Sequence, residues 1–239
     1  MKTGLNKVLA HSIPLLFVLP VLPATGAEVP QQRKIRTEAK PQRSRLRKSL
    51  GLGLTHLHYS QTQVAPFTQR FITLKGGLET AIPGSAWSIG GSFFFNSLSL
   101  SNTGIYQLRI LGVNLRSGRF LTPPESRVQV RLNGGVYYNT SFSEIGFKDM
   151  VGPQIFPEFS FRISQTRSVM TYFKYSPVLV AGSFDILSNR ELAAGLYFRQ
   201  LISSTMSWFV GIDYAELDAR IGSEEANMRS LSLGAGLGF

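Results

Sequence analysis

Residues 127–138 read Arg-Val-Gln-Val-Arg-Leu-Asn-Gly-Gly-Val-Tyr-Tyr, and their parity decides the fold. Val128, Val130, Leu132, Val136 and Tyr138 share one face; Gln129, Arg131, Asn133 and Tyr137 share the other. An extended chain turns successive side chains to opposite sides, so this stretch is a strand with one apolar and one polar face. The same alternation sets Leu192, Ala194, Leu196 and Phe198 against Glu191, Gly195 and Arg199. It also sets Met206, Trp208, Val210, Ile212 and Tyr214 against Ser207, Gly211 and Asp213. Less regular runs fall at about 50–59, 69–80, 85–96, 104–115, 155–163, 168–176 and 227–239. About ten strands at this spacing predict an all-β, closed, antiparallel up-and-down barrel; eight strands result if two weak runs are loops.

Alternation alone fits a soluble sandwich or lipocalin-type barrel with its apolar side inward. The polar face points the other way. It carries Lys75, Glu79, Arg131, Glu158, Arg162, Lys174, Glu191, Arg199 and Asp213, interleaved with Gly77, Gly135, Gly195, Gly211, Gly234 and Gly236. Charges beside glycines suit a narrow polar interior in which opposite charges pair and small residues leave room for long ones. Trp87, Phe93, Phe95, Phe159, Phe161, Phe173, Tyr175 and Trp208 lie on the opposite face, as suits lipid and its interfaces. The barrel is therefore expected to be transmembrane, with those nine charged residues forming a lumen network.

Composition agrees. With 43% hydrophobic and 16% charged residues, the mean hydropathy is only +0.04, because barrels hide apolarity at alternate positions. There is no cysteine, which excludes disulfide frameworks, thiolate metal sites and thiol nucleophiles. The formal charge of +11 is concentrated near the N-terminus. Residues 28–48 hold eight basic side chains against Glu28 and Glu38, whereas Ser49 onward is only about +3. Nucleic acid is thus not an expected partner.

Residues 1–27 read as a secretory signal: Lys2 and Lys7, an apolar Ile13 to Leu22 broken by Pro14 and Pro20, then Thr25-Gly26-Ala27. Residues 28–48 are basic and poor in large apolar groups, and are expected to be a disordered linker. Residues 49–239 form the barrel. Short links are expected near Ala81–Gly84, Ser164–Arg167 and Ile202–Ser204; long ones at Asn139–Gln154, Pro177–Asn189 and Ala215–Ala226. The Arg116–Ser126 link is too long for the short side. Two runs resist phasing. Leu50, Leu52 and Leu54 disagree in parity with Leu57 and Tyr59, and Tyr106, Leu108 and Ile110 with Leu111, Val113 and Leu115. A bulge would repair each switch.

The final stretch is the most specific. Leu231, Leu233, Ala235, Leu237 and terminal Phe239 alternate with Ser232, Gly234, Gly236 and Gly238. This resembles the C-terminal strand of bacterial outer membrane proteins, and with the strand plan it resembles the small OmpA/OmpX-like barrels. The resemblance implies a Gram-negative outer membrane location, contact with outer membrane lipids, and recognition by the barrel-assembly machinery.

Little catalytic chemistry is legible. His56 and His58 share a face of the first strand, but a metal site needs a third ligand. No metal or cofactor is expected. Barrel enzymes use carboxylates with histidine, or Ser/His dyads; Asp213 has no adjacent histidine, and His58 with Ser60 is a common spacing. The expected role is structural or surface interaction by a monomer whose lumen is filled by ion pairs. A small channel is the second reading, and an outer membrane enzyme acting on lipid or peptide the third. The loops Asn139–Gln154, with Phe142, Ile145, Phe147 and Met150, and Ala215–Ala226 are the expected binding surfaces.

Overall fold

Alternating residues, glycine-lined strands and tight turns build a single closed sheet. The computed structural model describes residues 46–239, apart from 63, 102–107, 124, 144–147, 178–179, 182–185 and 222. The signal segment and most of the basic linker lie outside the described residues, as does Tyr106. The strands are β1 (Arg47–Gln61), β2 (Val64–Ala81), β3 (Trp87–Ser99), β4 (Ile110–Phe120), β5 (Val128–Ser141), β6 (Met150–Arg162), β7 (Arg167–Pro177), β8 (Val180–Ala181), β9 (Ile186–Leu201), β10 (Ser207–Ile221) and β11 (Glu224–Gly238). Each long strand pairs antiparallel with its neighbours, and β1 closes on β11 from Ser49↔Gly238 to Gln61↔Ala226. Two-residue β8 pairs only with the start of β6, so ten strands form the wall. β1 begins at Arg47, two residues inside the segment assigned to the linker, and Lys48 exchanges both backbone hydrogen bonds with Phe239.

At one end of the barrel, links of four to seven residues (82–86, 121–127, 163–166 and 202–206) join the strands, with Gly84 in the left-handed region at φ 70°. The Arg116–Ser126 anomaly shrinks because β4 continues to Phe120. At the other end, the expected long loop Ala215–Ala226 is absent. Those residues extend β10 and β11 in unbroken register to Ile221↔Glu224. The expected loop Asn139–Gln154 is likewise shortened to 142–149, with Met150 already in β6 and buried.

Neither phasing conflict involves a bulge at the switch. β1 pairs with β11 without a shift from Ser49 to Gln61, and β4 pairs with β5 without one from Ile110 to Phe120. What changes is the chemistry of each face. Nearer the short turns, Leu50, Leu52, Leu54, Leu115, Ile212 and Leu233 point outward and are exposed, while Gly51, Gly53, Thr55, Gly118 and Ser232 face inward. Nearer the other end the pattern inverts. His56, His58, Arg70, Arg109, Asp218 and Arg229 now point outward, and Leu57, Tyr59, Phe71, Leu108, Ile110, Met150, Leu217 and Met228 are buried inside. The interior is therefore not polar throughout, as the sequence suggested, but polar below and apolar above. Crossing a bilayer takes about 9–11 strand residues. β1, β10 and β11 have 15 each and β2 has 18, so their upper parts extend past that requirement.

Candidate functional site

The candidate site is the lumen, whose inward positions come from every long strand. In its lower part Arg131 on β5, 5% exposed, directs one guanidinium nitrogen to Glu79 Oε1 at 2.6 Å and the other to both carboxylate oxygens of Glu158 at 2.7 Å. Glu158 is its register partner on β6, whereas Glu79 stands on β2 and is reached across β3 and β4. Arg131 also donates to Ser88 Oγ at 3.2 Å and lies over the Phe120 ring at 5.4 Å. Arg116 on β4 completes the group, donating to Glu79 Oε2 at 2.9 Å with Phe156 beneath it at 5.6 Å. The planar fork of arginine suits this two-carboxylate geometry in a way a lysine ammonium does not.

A second group surrounds Asp213 on β10. It accepts from Lys75 Nζ at 2.6 Å, from the Tyr172 hydroxyl at 2.9 Å and from the Tyr197 hydroxyl. Lys75 also donates to Ser232 Oγ at 2.8 Å, which continues through Thr55 and Thr73 to Asn96. Two glycines make this possible. Tyr172, Gly195 and Asp213 are register partners in one row, and a Cβ at Gly195 would meet the Tyr172 ring. A Cβ at Gly211 would likewise meet the Tyr197 ring. The third group pairs Lys174 with Glu191 at 2.8 Å, with Lys174 also 5.2 Å from the Tyr137 ring centroid.

Seven of the nine charges picked from the sequence thus fall into three buried groups. The other two lie near the short-turn rim. Arg162 is exposed at the last position of β6, and half-buried Arg199 donates to Ser207 Oγ at 3.0 Å. Sequence reading missed Arg116, Tyr172 and Tyr197. Parity could have found all three: Arg116 shares it with Gly112, Asn114 and Gly118, Tyr172 with Lys174, and Tyr197 with Gly195 and Arg199. With Arg116 included, each group sums to zero formal charge.

Above the first two groups the interior is mainly apolar, and the Lys174–Glu191 pair lies level with it, Glu191 opposite Leu217 in the register and Lys174 against Tyr137. Leu57, Tyr59, Phe71, Leu108, Ile110, Tyr137, Met150, Leu217, Ala219 and Met228 pack as one cluster across the lumen. A void of about 10 Å³ lies among Leu108, Ile110, Asn139, Ser141, Met150 and Met228, room for about one water at most. Among the described residues no group of three or more His, Asp or Glu side chains is placed to hold a metal ion. His56 and His58 turn outward, away from every lumen carboxylate. Chemically, the lumen fixes charge across strands and, among the described residues, presents no carboxylate without a cation beside it.

The barrel superimposes on the outer membrane protease OmpT of Escherichia coli with a TM-score of 0.58 at 12% identity, covering 81% of this chain and 96% of that one. It also matches the translocator domain of the autotransporter NalP of Neisseria meningitidis (TM-score 0.44, 12% identity, 80% and 87% covered). Neisserial surface protein A matches at TM-score 0.39 and 10% identity, with 80% and 95% covered. No protein-family model matches the chain, and no curated protein sequence does. The likeness to OmpT, at its identity, establishes architecture alone: the chain has the closed, ten-stranded antiparallel fold of outer membrane β-barrels.

Proposed function

We propose that the protein resides in a bacterial outer membrane as a monomeric, non-conducting barrel with a structural or surface-interaction role. The observation that carries this reading is the double filling of the lumen, by charge-neutral ion-pair groups and, toward the extended hairpins, an apolar cluster. An ion entering from either side would have to displace one of these before passing. The membrane part of the reading draws on the outward leucines, since soluble monomers rarely expose apolar patches above a few hundred Å². Closure of β1 on β11 leaves no edge strand for a second copy. The short turns and Phe239 then face the periplasm, as the assembly-signal strand requires, and the extended hairpins face outward. Purified mature protein in planar bilayers is expected to give no conductance steps, and to migrate differently on gels before and after boiling. Steady conductance from the folded form would replace this reading with that of a small channel.

A further inference from the structure

The outer wall carries a second feature that the lumen does not explain. Across β2, β1, β11 and β10 runs a groove of about 320 Å³ lined by Leu54, His56, Arg70, Ile212, Leu231 and Leu233. Four of these are aliphatic; the two donors, His56 and Arg70, are register partners at its upper end. No carboxylate pairs with the Arg70 guanidinium among the described residues. The next outward row upward holds His58, Thr68 and Arg229, with Arg229 bonded to Glu216 at 3.0 Å. His56 lies nine residues into β1. At a rise of about 3.4 Å per residue and a tilt of about 40°, that places it roughly 23 Å above the short-turn end, at the top of an apolar band about 25 Å tall. It is also where the outward face changes from leucine to charge.

An aliphatic slot ending in an unpaired guanidinium and an imidazole at the interface is complementary to an amphiphile with an anionic head. The geometry points to a binding groove for one phosphorylated, multiply acylated glycolipid of the lipid A type. Its acyl chains lie along Leu54, Ile212, Leu231 and Leu233, and a phosphate meets Arg70 and His56. This inference rests on the orientation proposed above, which puts the groove's polar end in the outer leaflet, where that lipid supplies the phosphate. Arg70 supplies a charge-assisted, forked contact to phosphate oxygens.

The test uses the full mature protein in detergent, with bound lipid counted by native mass spectrometry. The probes are bisphosphorylated lipid A, its dephosphorylated form and phosphatidylglycerol. Bisphosphorylated lipid A is expected to bind at least about tenfold more tightly than either alternative. Arg70→Gln is expected to weaken it about tenfold, the loss of one charge-assisted hydrogen bond, and His56→Gln about threefold. Arg119→Gln, outward at the opposite end of β4, should change nothing; heat-shifted migration reports that each variant has folded. Equal binding of phosphatidylglycerol or of the dephosphorylated lipid, or an unaffected folded Arg70→Gln variant, overturns the groove while leaving the outer membrane reading intact. A native chain found in the soluble periplasm overturns both.

Discussion

Four residues separate Lys75 from Phe71 on β2, and over that step the lumen passes from paired charge to packed hydrocarbon. The outer wall makes the opposite change over the same height, from Leu54 to His56 and His58 on β1 and from Leu233 to Arg229 on β11. On the outer membrane reading proposed above, the lower barrel meets an apolar solvent and the upper barrel water, on strands that continue through both without a break. The lower half solves the harder problem. With hydrocarbon outside, no hydrophobic gain remains from burying apolar groups inside. What holds the interior is a set of ion pairs bridging strands distant in the sheet, Lys75 to Asp213 and Arg131 to Glu79. Such groups specify which strands face each other, provided every member is present. The upper half needs no such completeness, because its core forms by the ordinary hydrophobic effect.

The largest expected effect tests that completeness. Arg131→Ala leaves Glu158 without its partner and Glu79 with Arg116 alone, inside a water-poor interior. Removing one member of a buried charge group costs about 3–5 kcal/mol. Reversible urea unfolding into lipid vesicles, followed through Trp87 and Trp208, measures it. Replacing Arg131→Met together with Glu158→Gln, which leaves the neutral Arg116–Glu79 pair intact, should recover most of the loss. A single Arg131→Ala cost below about 1 kcal/mol would show that the lower lumen is wet enough to solvate two carboxylates, and the contrast between the halves would fail.

A smaller effect locates the solvent boundary from outside. Leu52 is outward and 59% exposed, within the leucine belt. Leu52→Arg is expected to cost about 2–4 kcal/mol by the same unfolding measurement, the penalty of an arginine near the bilayer midplane. An arginine at Thr68, outward on β2 above His56's row, should cost almost nothing. Equal costs at the two positions would place both in one solvent and move the boundary.

The same inversion explains what could be read from the sequence. β5, β9 and the lower parts of β10 and β11 were legible because polarity contrast and inward direction coincide there: Arg131, Asn133, Glu191, Arg199 and Asp213 are both polar and inward. Periodicity measures contrast and carries no sign. At Leu57, Tyr59, Leu108 and Ile110 the alternation persists but its sense reverses, which in one dimension is indistinguishable from a bulge. The charged outward residues Glu216, Asp218 and Arg220 of β10 made a strand look like a loop, although Leu217 and Ala219 between them keep period two and are buried. Pairing partners were beyond sequence altogether. That Glu79 meets Arg131 and Arg116, or that Tyr172 crosses Gly195 to reach Asp213, depends on strand order and stagger, which the closed sheet alone sets.

The smallest effect concerns the upper outer wall. Arg190 on β9 donates to Asp218 on β10 at 3.1 Å, with the two side chains 59% and 36% exposed. If this stretch stands in water above the bilayer, the pair is an ordinary surface ion pair, and such pairs contribute about 0–1 kcal/mol. Arg190→Gln should then shift the unfolding free energy by no more than about 0.5 kcal/mol, and by less still as salt rises, since screening weakens exposed charge pairs. The comparison with Arg131 is direct, because both are arginines bonded to carboxylates at similar distances and differ chiefly in what surrounds them. A loss of several kcal/mol at Arg190 that persists at high salt would mean that lipid, not water, reaches this height, and the upper barrel would have to be reassigned to the membrane.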